Sequence, residues 1–349
     1  MKQLQDFIYL DKHKILDAID AQPGQLRLNF ADEMAWDITP AWAEGLQNIV
    51  LAGMGGSALA ADVLRNWLSS RLTVPFEVVR GYSLPSYVDQ RSLVIISSYS
   101  GNTEETLAAL DAAKKRAARI VIMTAGGELL EIAHKSDYML LKLPQVTQPR
   151  LGVLAGLRAL TCLIEDCGFA PATDLRRELE DVADWLDVAK SALNLDRIEG
   201  ENKAWEIAQK IAGKLVIIEG TQMLRAATYK WKININENSK QLAWCNVFPE
   251  LNHNEMQGWL FPDDKLLALV TLSSSFDNPR VLKRMAVMKS TLKTHGYDPI
   301  EVQAEGELPL QHLLWTILLG DYVSAYVGLL NGIDPTPVDI VEDFKRELG

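Results

Sequence analysis

Short runs of branched aliphatic residues, each closed by turn residues and followed by a helical pattern, constrain this chain most. In the first half they fall at 48–52 (NIVLA), 76–80, 93–96 (LVII) and 119–123, with helical patterns over 57–68 and 103–118. Strands that are apolar on both faces and alternate with helices predict a parallel sheet covered by helices. A weaker copy of the plan begins at Lys214: a strand over 214–219 (KLVIIE), a turn at Gly220-Thr221 and a helix over 222–240. A further strand over 265–272, the run Ser273-Ser274-Ser275 and a helix over 279–295 complete it. With 349 residues the chain can hold two full cores, so the duplication predicts two doubly wound α/β domains.

The rest is mostly helix. Phe7, Ile8, Leu10, Ile15, Leu16 and Ile19 form an apolar stripe that predicts one helix ended at Pro23-Gly24, and a second helix is expected over 31–44. Residues 151–195 read as helical with a break at Cys167-Gly168-Phe169-Ala170-Pro171. The expected organisation is a helical segment over 1–30, a first domain over 31–155, a helical connection over 156–200 and a second domain with C-terminal helices over 201–349. The apolar stretch 313–330 approaches membrane-spanning length, but it contains Asp321 and follows Gln311 and His312, which favours a core or subunit-interface helix.

Charge and cysteine content exclude several classes. A net charge of −11 argues against a nucleic-acid partner, and the one basic run, Lys114-Lys115-Arg116, reads as a solvated helix end. Cys162, Cys167 and Cys245 are odd in number and lack C-x-x-C spacing, so neither a disulfide framework nor a zinc site is expected. The start, Met1-Lys2-Gln3-Leu4-Gln5-Asp6, has no apolar signal region, and a cytoplasmic protein is expected.

Two loops carry the chemistry. Gly53-Met54-Gly55-Gly56-Ser57 and Ser97-Ser98-Tyr99-Ser100-Gly101-Asn102-Thr103 each leave a strand and open a helix. Glycines let backbone N–H groups approach an anion, hydroxyls donate further hydrogen bonds, and helix N-termini favour negative charge. The first loop does not match G-x-G-x-x-G, because Ala58 stands where the third glycine belongs, and no Lys-Ser/Thr follows as in a nucleotide phosphate loop. A compact phosphoryl pocket is the reading that accounts for both loops; plain tight turns are the alternative.

At these two loops the chain resembles the sugar isomerase (SIS) superfamily, whose domains bind phosphosugars. In the second half, Asn236-Glu237-Asn238-Ser239-Lys240 and Pro249-Glu250-Leu251-Asn252-His253-Asn254-Glu255 resemble the signature of the bifunctional phosphoglucose/phosphomannose isomerases. The resemblance implies an aldose–ketose isomerase that interconverts glucose 6-phosphate, and mannose 6-phosphate, with fructose 6-phosphate through a cis-enediol, with the active site between the domains; another sugar-phosphate isomerase of the superfamily and a non-catalytic phosphosugar sensor are the alternatives. No metal or organic cofactor is expected, since no His/carboxylate cluster has ligand spacing and the proton transfer needs neither.

It further implies roles for individual residues. Gly55, Gly56, Ser57, Ser98, Ser100 and Thr103 would hold the phosphate. Glu237 would be the base that moves a proton between C1 and C2; Lys230, Asn234, Glu237 and Gln241 fall on one helical face, expected to be polar. His253 would open the sugar ring, supplied by the neighbouring subunit of a homodimer, and its polar flanks distinguish it from His13, His134, His295 and His312. Arg150 would stabilise the enediolate, a surface arginine being the alternative. Thr336, in Asp334-Pro335-Thr336-Pro337, and Lys345 correspond to positions that close over the sugar, with Thr336 leaving room for either C2 epimer.

Overall fold

A computed structural model describes residues 4–30, 38–171, 174–195, 201–260 and 266–348. Contacts divide the chain into two compact units, Ala21–Asp184, and Met1–Asp20 with Trp185–Gly349.

The unit Ala21–Asp184 is built on five parallel strands, β1 (Asn48–Gly53), β2 (Phe76–Val79), β3 (Ser92–Ser97), β4 (Arg119–Thr124) and β5 (Met139–Lys142), in the order β2-β1-β3-β4-β5. β1 and β3 lie inside the sheet and are buried almost throughout, which is why their sequences read as unbroken aliphatic runs rather than as alternation. Val50, Ala52, Val94, Ile96 and Ile122 pack with Leu110 and Leu129 from the covering helices Glu104–Lys115 and Gly127–Lys135. The order reverses its winding between β1 and β3, the switch point outside whose carboxyl ends such sheets bind ligands. Both loops singled out in the sequence leave the sheet there.

The second unit repeats the plan with four parallel strands, β6 (Leu215–Gly220), β7 (Ala243–Val247), β8 (Leu267–Ser273) and β9 (Ile300–Gln303), in the order β7-β6-β8-β9. The apolar stretch at 313–330 is the helix Pro309–Leu330, and 94% of its most apolar window is buried. A helix apolar all round has to be enclosed, and this one is a core helix of its unit. Against it lies the helix Arg225–Ser239, whose Trp231 Nε1 donates to the Thr316 carbonyl at 2.7 Å. Gly320 permits that contact, because a Cβ there would sit 2.3 Å from the Trp231 ring nitrogen.

Three expectations need correction. The N-terminal segment is a 3-10 helix Leu4–Leu10 and separate helices Ile15–Asp20 and Gln22–Gln25. The Asp11 carboxylate breaks the first continuity by accepting from the Ile15 and Leu16 N–H groups at 2.7 and 3.1 Å, as a helix cap does. Pro23 falls in the first turn of its helix, where a missing N–H costs nothing, and so does not end one. The helix expected over 31–44 lies outside the described residues as far as 37, and 40–44 form turns. The polar face that carries Lys230 and Asn234 is enclosed rather than open: both are buried, and both donate to Asp321 of the Pro309–Leu330 helix.

Candidate active site

At the switch point of the first sheet the two loops are tied together. The Ser57 hydroxyl accepts from the Tyr99 N–H at 2.9 Å, and Ser97 Oγ donates to the Ser57 carbonyl at 2.9 Å. Ser98, Ser100 and Thr103 converge: Ser98 Oγ lies 2.8 Å from Thr103 Oγ1 and 3.5 Å from Ser100 Oγ, while accepting from the Gly101 N–H at 3.1 Å. The helices Gly55–Leu68 and Glu104–Lys115 both begin here, and neither N-cap residue, Met54 or Thr103, makes a side-chain cap hydrogen bond. Two helix N-termini without side-chain caps thus lie beside three clustered hydroxyls, a grouping of hydrogen-bond donors of the kind that suits an anion.

Close approach dictates the glycines. A Cβ on Gly101, at φ +75°, would lie 1.8 Å from the Gly126 carbonyl oxygen. The β4 loop through Gly126 and Gly127 therefore buttresses the second loop, and Asn102 Oδ1 accepts from the Glu128 N–H at 2.8 Å. The sequence reading missed this third loop; the adjacent Gly126-Gly127 after an aliphatic strand was its signal.

Gly56 performs the same service for Arg150. A Cβ there would meet the Arg150 nitrogen and the Pro149 carbonyl carbon at 3.0 Å, so the short turn Pro149–Leu151 lies directly on the first turn of the Gly55–Leu68 helix. Arg150 is 1% exposed and donates to Gln148 Oε1 at 3.1 Å, which excludes the surface-arginine alternative. Tyr99 packs beside this turn, its hydroxyl donating to the Pro144 carbonyl, and burial pushes the phenol up to about 12.

In the second unit Glu237 occupies the last turn of the Arg225–Ser239 helix and is half-buried. Lys240 ends that helix in the left-handed conformation, at φ 51°, and its Nζ donates to the Glu237 carbonyl at 2.8 Å and to the Pro335 carbonyl at 2.9 Å. One side chain thus ties the Glu237 turn to the segment holding Thr336, which is 2% exposed. Asp334 shapes that segment, accepting from the Thr336 N–H at 3.0 Å and pairing with His13 at 2.7 Å. Sequence reasoning quoted Lys240 within a motif and gave it no role.

His253 ends the short turn Glu250–His253, exposed, and its ring makes no hydrogen bond or ion pair with any described residue. Lys345 lies on the exposed helix Asp339–Leu348, paired with Glu342 at 2.8 Å.

The corresponding loops at the switch point of the second sheet are closed on themselves. Ser274 Oγ and His312 Nδ1 are 2.8 Å apart, the Ser274 N–H donates to Asp277 at 2.7 Å, and the Leu224 N–H donates to Thr221 Oγ1 at 3.3 Å. His312 is 2% exposed and also contacts the Gly306 carbonyl, polar company that its helical pattern concealed.

Two parallel sheets with paired loops at the first switch point define a protein of the SIS class, and residues 46–146 match the SIS domain family. Residues 200–348 match the family described as the bacterial phospho-glucose isomerase C-terminal SIS domain. The bifunctional phosphoglucose/phosphomannose isomerase of Caldicellulosiruptor bescii is 36% identical over 88% of this chain and 91% of its own. The enzyme of the same name from Aquifex aeolicus is 34% identical over 91% and 93%. The chain belongs to the bifunctional phosphoglucose/phosphomannose isomerase family. Solved structures extend the likeness in fold alone. The C-terminal domain of glucosamine-fructose-6-phosphate aminotransferase from Francisella tularensis superposes with a TM-score of 0.71 at 17% identity, over 94% of this chain and 98% of that one. Tagatose-6-phosphate ketose/aldose isomerase from Escherichia coli gives 0.69 at 17% identity, over 92% and 94%.

Proposed function

We propose that this protein is an aldose–ketose isomerase that interconverts glucose 6-phosphate and mannose 6-phosphate with fructose 6-phosphate through a cis-enediol. The 36% identity to a curated bifunctional isomerase along nearly its whole length carries the reading. The hydroxyl cluster of Ser98, Ser100 and Thr103, with Ser57 and the two helix N-termini, holds the phosphate, far enough from C1 and C2 to supply binding energy that positions them. Arg150, buried behind the glycine loop, offers its charge to the oxyanion of the enediolate.

Glu237 takes the proton from C2 of the aldose and returns it to C1, and the reverse for the ketose. The transfer needs one carboxylate, and side chains alone carry it. Thr336, held by Asp334 and the Lys240 tie, faces C2, where a small side chain accommodates either epimer. His253, exposed and unengaged, opens the ring of a sugar bound by a second copy of the chain, so the working form is a homodimer; Lys345 closes over the sugar.

A substrate panel tests the reading. Turnover of glucose 6-phosphate and mannose 6-phosphate to fructose 6-phosphate is expected. Activity confined to amino sugar or pentose phosphates, or tight binding without turnover, overturns it. Sharing of His253 is tested by mixing inactive Glu237→Gln and His253→Ala chains, which should recover activity through the heterodimer.

A further inference from the structure

Glu219 is 0% exposed, and neither carboxylate oxygen has a hydrogen-bond partner among the described residues. It is the penultimate residue of β6, beside Thr271 of β8 in the parallel register, and Ser273 lies two residues further along the same face. That face is covered by the helix Pro279–Thr294, whose Met288 and Leu292 pack with Leu269 and Ile217. Between sheet and helix is a cavity of about 150 Å³, polar at Glu219, Thr271 and Ser273 and apolar along Leu282, Met285 and Leu292. Neither hydroxyl is engaged by another described group. β6 and β8 flank the switch point of the second sheet, the position at which the first sheet carries its phosphate loops.

Among the described residues, none supplies a cation to Glu219. Lys289, at the rim, is paired with Glu301, and Glu255, which accepts from Asn246, adds negative charge nearby. We propose that this cavity binds a small organic cation, a primary ammonium on a short apolar chain, with the ammonium held by Glu219, Thr271 and Ser273. A primary ammonium has three N–H donors and no acceptor, and the polar end of the cavity offers three acceptors. The apolar wall favours an alkyl chain over a hydrated metal ion, and the volume suits a few heavy atoms.

The cavity and the helix that carries Glu237 lie on opposite faces of the second sheet. Gly220, next in the strand and on the opposite face, backs onto Thr228 of the helix that carries Glu237, where a Cβ would lie 1.8 Å from Thr228 Oγ1. Burial, reinforced by Glu255, pushes the Glu219 carboxyl up to about 8, so near neutrality the empty site holds a proton. Binding then exchanges that proton for the ammonium, which is itself protonated up to about pH 10.

Calorimetric titration of the full chain with n-propylammonium chloride at pH 7 and pH 9 tests this, with potassium chloride and tetramethylammonium chloride as controls. Saturable binding with a Kd on the order of 1 mM is expected, about tenfold tighter at pH 9 and releasing a proton to buffer at pH 7. Tetramethylammonium has no N–H and should not bind. Glu219→Gln should abolish binding, and Ser273→Val, which removes one acceptor without touching the carboxyl, should weaken it about tenfold if Glu219→Gln does not fold. Absence of saturable binding, potassium binding as tightly, or a Ser273→Val chain that binds unchanged overturns the site.

Discussion

Lys240 donates to the carbonyl oxygen of Pro335 at 2.9 Å, and the same ammonium caps the helix carrying Glu237. A lysine in the left-handed conformation costs backbone energy that glycine would not, on the order of 1 kcal/mol. The two carbonyls that the side chain ties together offset that cost.

Lys240→Gly separates those two effects. The backbone relaxes while the tie to Pro335 is lost, so kcat/KM should fall about tenfold to a hundredfold with little loss of thermal stability. Unchanged turnover would show that the tie does not position Glu237 or Thr336.

Replacement of Glu237 by Gln removes the base and keeps the shape. Fructose 6-phosphate should bind within a few-fold of wild type by calorimetry, while isomerisation drops by about 10² to 10⁴. Retained turnover would remove Glu237 from the mechanism.

Asp321 meets Lys230 and Asn234 where no solvent reaches any of them. Asp321→Ala strands a buried ammonium and should cost about 3 to 5 kcal/mol in urea denaturation. Lys230→Met with Asp321→Leu removes both charges and should recover most of that loss. Equal damage by single and double variants would refute an electrostatic origin.

Glu219 gives stability a pH dependence. In the folded chain its carboxyl is raised from 4.5 to about 8 by burial and by Glu255, with Lys289 and Glu301 paired to each other at the cavity rim. Between those values the folded state holds a proton that the unfolded state has released, so stability falls as pH rises, by up to about 1.4 kcal/mol per unit. Glu219→Gln should lose that contribution to the slope, which denaturation at pH 5.5 and 7.5 would reveal. Identical slopes would mean that Glu219 ionises without cost.

The paired loops of the first sheet were legible because their parts are local. Aliphatic runs buried on both faces mark β1 and β3, and glycines and hydroxyls at their ends mark the loops. Glu237 and His253 were singled out through resemblance alone, since a glutamate on a helix looks the same in sequence whatever surrounds it. The burial of the polar face at Lys230 and Asn234 was hidden for a related reason. Helical periodicity places residues on one face, but it does not say that Asp321, 91 and 87 residues away in sequence, will cover that face with a counter-charge.

Sequence by itself determined the strand–loop–helix plan, its duplication and the position of the first pair of loops, because these follow from hydrophobic period and turn composition within short windows. Only the tertiary structure decided that Arg150 is buried behind Gly56, that Lys240 reaches Pro335, that Ser274 and His312 close the second set of loops, and that Glu219 faces a cavity. Each depends on packing between segments distant in the chain, where burial and partners, rather than residue type, set what a polar group can do.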